Sequence, residues 1–262
     1  EAEKKNDYKN IVLSFSYFKS VLRPMEVEDR AALYFTLLKR VEGYQEPIKS
    51  LSELTLVQEF VSNFYSWFGY QRLSFYDSLD FSEEINKFHF VYNRMKGLEN
   101  QLDALKKFDI QPFEGVLLSA KDSLRQFASL SDYLGYSLIH LYQSNLIQYQ
   151  GGLKHAATAS TEWYSTSNKF VLLDFEEDNL TTSILKLFQS IEKNNLNRPD
   201  YLSVAAYQRL HFLKTQFHSL EIDSTWEEHY EYFKASSARS KFLFEMAKAD
   251  FDKGTQYHHK TN

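Results

Sequence analysis

Glycine and proline are the residues that let a chain reverse direction, and this sequence has few of either: 8 Gly and 4 Pro in 262 residues. A β-sandwich or barrel of this length turns back many times, and its tight turns draw on those two residue types. So few breakers leave long uninterrupted elements, which in a chain of ordinary polarity are helices. The expected fold is all-α: a bundle of about eight or nine long antiparallel helices with coiled-coil-like hairpins.

The spacing of large apolar residues places those helices. Behind Asn6 or Asp7 as N-cap, Tyr8, Ile11, Phe15, Phe18 and Leu22 alternate at intervals of three and four, and Pro24 ends the stripe. A second helix over 26–44 turns Leu33, Leu37 and Val41 inward. Ser50 with Glu53 reads as a capping box opening a third, through Leu56, Phe60, Phe64 and Trp67. From Ser82, the residues Phe88, Val91, Met95, Leu98, Leu102 and Leu105 form a heptad seam. Past a turn at Asp109–Pro112, one long helix is expected over 113–149, stopped by Gly151-Gly152. A helix rich in small residues should follow over 153–175, then others over 179–193 and 199–220. Ser224 with Glu227 opens the last helix, whose seam runs Trp226, Tyr230, Phe233, Ser237, Ser240, Phe244, Ala247 and Phe251. The chain reads as a single domain over 1–262, with weak seams at 79–82 and 194–200 and a tail over 255–262.

Charge excludes several functions. With 30 Lys and Arg against 35 Asp and Glu, the net charge is −5, and no basic stretch could follow a phosphate backbone. Nucleic acid is therefore not an expected partner. No run matches a membrane span of about 18 apolar residues; Leu134–Ile147 comes nearest and is interrupted by Ser137, His140, Gln143, Ser144 and Asn145. The absence of cysteine removes thiol nucleophiles, disulfides and cysteine–metal sites. Together with a first residue, Glu1, that is not Met, it tilts the expectation towards an exported, periplasmic or lipid-anchored protein.

Catalytic signatures are equally scarce. His211, His218 and Glu221 share a helix face, but helical metal sites need more ligands than that. His258-His259 stand in the tail, and the acidic run Asp174, Glu176, Glu177 and Asp178 lacks the glycine of a calcium loop. No phosphate-binding loop or nucleophile elbow occurs. No metal, cofactor or catalytic residue is expected, and the chain is read as a non-enzyme.

One segment exceeds what a core needs. Nine of the 22 residues from Phe60 to Phe81 are aromatic, and one helix face buries about half its residues. Phe60, Phe64, Trp67 and Phe68 fit one inward face, and Tyr65, Tyr70 and Tyr76 do not lie on it. Tyr65, Trp67, Phe68, Tyr70, Phe75 and Tyr76 are assigned to a partner- or ligand-binding surface, because Tyr and Trp dominate interface energetics; the alternative is a helix buried on several sides. Ser237 and Ser240 at seam positions would admit close approach by a neighbouring helix or a second copy. The functional expectation is a helical scaffold or protein-interaction module with a protein partner; the alternative is a bundle holding a lipid or pigment between aromatic-lined helices.

Overall fold

The structure, a computed structural model, describes residues 7–17, 21, 24–67, 84–117, 127–144, 146–150, 153–176, 178–217 and 222–248. Every regular element among them is helical and none is a strand, so the chain is all-α as expected. Its contacts fall into two compact units, Glu1–Lys154 and His155–Asn262. The division lies just past Gly151-Gly152 and coincides with neither seam read from the sequence.

The first unit contains α1 (Tyr8–Ser16), α2 (Val27–Glu42), α3 (Ile48–Trp67), α4 (Glu84–Glu99), α5 (Leu102–Leu105), a 3-10 turn (Gln111–Phe113) running into α6 (Glu114–Leu117), α7 (Leu130–Tyr142) and a π turn (Leu146–Gln150). Helix α3 is the hub and packs against α1, α2, α4 and α7. A helix contacted from several sides must be apolar on several faces, and Leu51, Leu54, Leu56, Val57 and Phe60 are all buried. The Phe60 ring lies 5.6 Å from Tyr34 and 4.9 Å from Phe90. The Tyr34 hydroxyl donates to the Leu56 carbonyl at 3.1 Å, and burial holds its ionisation far above the ordinary tyrosine range.

Several expectations in this unit are met and others corrected. Asp7 caps α1, its side chain accepting from the Asn10 N–H. Phe88, Val91, Met95, Leu98, Leu102 and Leu105 are all buried, although a turn at Asn100–Gln101 divides the helix. In α2 the inward stripe is Ala31, Tyr34, Phe35, Leu38 and Val41; Leu33 and Leu37 are only half-buried. Two aromatic rings fill more of the space beside α3 than the two leucines would. Ser50 is not a cap but the third residue of α3. The helix begins earlier because Gln45 and Pro47 carbonyls accept from Lys49 and Leu51, and Glu46 Oε2 accepts from the Ser50 N–H at 3.3 Å. The Glu46–Pro47 peptide is cis. The single helix expected over 113–149 is in pieces. Ser129 starts α7 afresh, accepting from the Asp132 N–H while Asp132 accepts from the Ala128 N–H.

The second unit is built from a 3-10 turn (Thr161–Tyr164), α8 (Ser167–Phe170), α9 (Leu180–Asn194), α10 (Pro199–Phe217), α11 (Ile222–Tyr232) and a helical run over 239–248. Asn179 caps α9 through a full capping box with Thr182. The helix expected over 153–175 does not form beyond its two short turns. Its backbone groups are satisfied by side chains instead of by its own carbonyls. Thr181 Oγ1 accepts from the Ala156 N–H at 3.1 Å. Gln189 donates to the Phe170 and Leu173 carbonyls at 3.2 and 2.7 Å. Arg209, fully buried, donates to the Trp163 and Ser165 carbonyls.

The same guanidinium pairs with the fully buried Glu192, Nε to Oε1 at 2.7 Å and Nη2 to Oε2 at 3.4 Å, and stands 3.9 Å over the Phe170 ring. Next to it His229 is buried, with Nδ1 3.0 Å from the Thr225 carbonyl. Burial first, and then the Arg209 charge, push its pKa down to about 3, so the ring is neutral.

The last seam also breaks. Ser224 lies within α11 instead of capping it, and a turn over 233–238 interrupts the heptad. There the Ser237 N–H is caught by Asp200 at 2.7 Å. The turn resets the phase. Phe242 is buried and stacks 5.5 Å from Phe233, while Phe244 is 66% exposed. Ser237 and Ser240, assigned to a packed seam, are exposed.

Two stability predictions follow from the buried charge. Arg209→Met leaves Glu192 buried without its partner and should cost the second unit about 3–5 kcal/mol, whereas Arg209→Met with Glu192→Leu should recover only part of that loss, because the Trp163 and Ser165 carbonyls still lack their donor; urea denaturation measures both. His229 binds its proton in the unfolded chain from pH 6.5 downward but in the folded chain only near pH 3. Its contribution is complete above pH 6.5 and should fall by about 1.4 kcal/mol per pH unit as pH drops through that window. The difference between the stability–pH curves of the parent chain and His229→Gln should show that slope.

Candidate functional site

One concavity lined by described residues lies in the first unit, where α1 and two turns meet at the start of α3. It is a half-open cleft of about 900 Å³. Helix α1 contributes Lys9 and Ile11, the end of α2 contributes Arg40, and the turn over 43–47 leads to Ile48. Phe108, Pro112 and Phe113 close the far side.

Each wall has a local cause. The last carbonyls of α2, Arg40 and Val41, accept from the Gly43 and Tyr44 N–H groups at 3.1 and 3.0 Å, folding the chain back at once. Tyr44 meets Phe15 of α1 edge-on at 6.2 Å. Asp109 Oδ1 accepts from the Gln111 N–H at 3.0 Å, and Phe113 closes a turn onto the Ile110 carbonyl at 2.9 Å. The Phe108 carbonyl accepts from Leu130 at 3.0 Å, which ties this turn to α7. Ile11, Pro47, Ile48 and Phe113 are buried and make an apolar floor. Lys9 and Arg40 are exposed at the rim. Lys107 stands 5.2 Å over the Phe108 ring.

The second unit has a smaller and more polar hollow of about 550 Å³, between the 156–160 backbone, Trp163 and Phe175. Asp174 and Glu176 on its edge are exposed to solvent, as a charged helix junction would be.

None of the described lining residues of the cleft comes from the aromatic segment singled out in the sequence. Tyr65 and Trp67 stand on the backbone of the end of α3; their side chains, and Phe68, Tyr70, Phe75 and Tyr76, lie outside the described residues. Phe60, at the segment's start, is core. His211 and His140 are exposed, and His218, Glu221, His258 and His259 lie outside the described residues. Among the described residues no group of three His, Asp or Glu could hold a metal ion, and no helix is long and apolar enough to cross a membrane.

The cleft residues escape sequence reading because they come from three separated stretches, each too short for a periodic pattern. The signal they do carry is local: two turns, 43–48 and 108–113, hold aromatic residues and proline with no helix face to bury them on.

The chain matches no protein-family model, no characterised protein and no solved structure. Its function must be argued from its own side chains.

Phe113 supports the floor from one side only, so Phe113→Ala should sit at the mild end of the range for buried phenylalanine. A loss of about 3 kcal/mol is expected, read by urea denaturation of the full chain.

Proposed function

We propose that this chain is a non-enzymatic helical scaffold that works by binding, and that the cleft at the start of α3 receives an apolar or amphipathic small molecule. The observation that carries this reading is the cleft itself. Small-molecule sites are concave, about 300–1,000 Å³, mainly apolar, and carry a few polar groups that fix orientation. The 900 Å³ cleft matches each of these features, with Ile11, Pro47, Ile48 and Phe113 beneath Lys9 and Arg40. The absence of compact catalytic motifs is the sequence ground for a binding role.

A second reading, a protein-interaction surface, is favoured by one observation in the second unit. On the helical run over 239–248, Leu243 and Phe244 are adjacent and 48% and 66% exposed. Exposed large apolar side chains side by side mark contact surfaces more often than isolated ones do. The occupant would be another protein or a second copy of the chain. The cysteine-free composition accords with work outside the reducing cytoplasm, as an exported or envelope-associated protein.

The test of the main reading is thermal unfolding with a panel of lipids and amphiphiles, beside native mass spectrometry of protein from its own source. A ligand at a hundred times its Kd stabilises by about 2.7 kcal/mol, which for a unit of this size raises Tm by about 5–10 °C. Clean apo mass with an unmoved Tm across the panel would end the reading.

A further inference from the structure

We infer that the helical run over 239–248 docks the second unit on an anionic lipid surface. The inference takes up the exposed pair of the second reading, gives it lipid in place of protein, and is independent of the cleft.

The run has two opposed faces. Phe242 and Glu245 are buried and turn inward. Phe242 meets Tyr207 of α10 at 5.7 Å and Trp226 of α11 at 6.2 Å, and Glu245 pairs with Lys214 at 2.9 Å. At about 100° per residue, Leu243, Phe244, Ala247 and Ser240 fall on the other side, and all four are exposed. Leu243 and Phe244 thus add nothing to the core of the unit.

Cations stand on both edges of this strip. Arg239 is one turn before Leu243, Lys248 one turn beyond Phe244, and Lys241 lies on the Lys248 edge. All three are exposed. Arg239 donates to the Tyr230 hydroxyl at 3.2 Å and lies 5.6 Å over that ring, while Lys241 lies 5.4 Å over Tyr207. Those rings are neutral, so each contact positions a cation without cancelling its charge. The carboxylates bonded to this part of the chain are engaged: Glu245 is paired inward, and Asp200 accepts from the Ser237 N–H in the turn before the run. No exposed carboxylate stands on the run itself.

The charges select the occupant. A second copy laid on the same strip would bring cations against cations. A stable protein partner contacts on the order of 20–30 residues a side, more than two large side chains and their neighbours offer. An anionic bilayer matches the run on both counts. Leu243 and Phe244 can enter the boundary of the acyl region, and the basic side chains on either edge reach along it to the headgroup phosphates. Such a surface is fluid and needs no matching groove. The chain's net charge of −5 opposes its approach, so the contact is weak, reversible and salt-sensitive.

The experiment is flotation of the full chain with vesicles of phosphatidylcholine alone and of phosphatidylcholine mixed with phosphatidylglycerol. The chain should partition about tenfold better onto the mixed vesicles, and high salt should remove the difference. Lys241→Gln with Lys248→Gln should lower binding to the mixed vesicles about tenfold. Leu243→Ser with Phe244→Ser should lower it at least as far. These positions are exposed, so the variants should melt with the parent chain. Because the chain has no cysteine, Ala247→Cys accepts a single environment-sensitive fluorophore, whose emission should brighten and shift to the blue on the mixed vesicles.

Equal binding to both vesicle types would overturn the role of charge, and with it the inference. Binding that survives Leu243→Ser with Phe244→Ser would place the contact elsewhere on the chain and overturn it too. No flotation of the parent chain would sink lipid as the occupant. If that chain also self-associates in sedimentation, and the serine variant does not, the protein reading of the same surface stands in its place. None of these outcomes bears on the cleft, which is tested with monomeric ligands.

Discussion

The first unit depends on covering one helix from several sides. Helix α3 carries Leu51, Leu54, Leu56, Val57 and Phe60 on more than one face, so no single neighbour can take all of them out of water. Helices α1, α2, α4 and α7 are the sheath. Each large buried side chain is worth about 1.5–3 kcal/mol relative to exposure, so an uncovered face would be costly. At the first turn of α3 the neighbours include turns as well as helices. The cleft lies there, bounded by α1 and by turns over 43–47 and 108–113. A concave surface at that point is a consequence of how the hub is wrapped.

The second unit solves a different problem. A stretch of more than 20 residues, 153–176, has short helical turns at most, and its carbonyls must still find donors away from water. Gln189 of α9 and Arg209 of α10 donate to four of them, and Thr181 of α9 accepts from the Ala156 N–H. Burying a guanidinium is expensive unless it is paired and hydrogen-bonded, and here Glu192 and two carbonyls accept from four of its five N–H groups. The charge neutralises its partner and knits a coil to two helices at once. His229 is kept neutral by the same surroundings.

What the sequence revealed follows from where each bond partner sits. The shortage of Gly and Pro was enough for the fold class, because it acts on every connection together. The seam Phe88–Leu105 was legible since helical spacing alone decides which of its residues face inward. The segment 153–176 was not, because its backbone partners sit on Thr181, Gln189 and Arg209, in elements that follow it. The seam beyond Phe233 failed because Asp200, 37 residues away, captures the Ser237 N–H. Two Ser-x-x-Glu sequences suggested caps, yet both serines stand on backbone already helical. The working box pairs Asn179 with Thr182, and there the asparagine alone is a legible cap signal. Sites lined by turns are harder still: Lys9, Arg40 and Phe113 have no spacing in common that could group them.

The Arg209 clamp also imposes an order on synthesis. The carbonyls of Trp163 and Ser165 precede the guanidinium by 46 and 44 residues, and a growing chain emerges N-terminus first at about 5–20 residues per second. For several seconds that segment leaves the ribosome with neither its donors nor the apolar surfaces of α9 and α10 to fold upon. It must wait as solvated coil until α10 is made, so the second unit can close only when its later half has arrived to capture its earlier one.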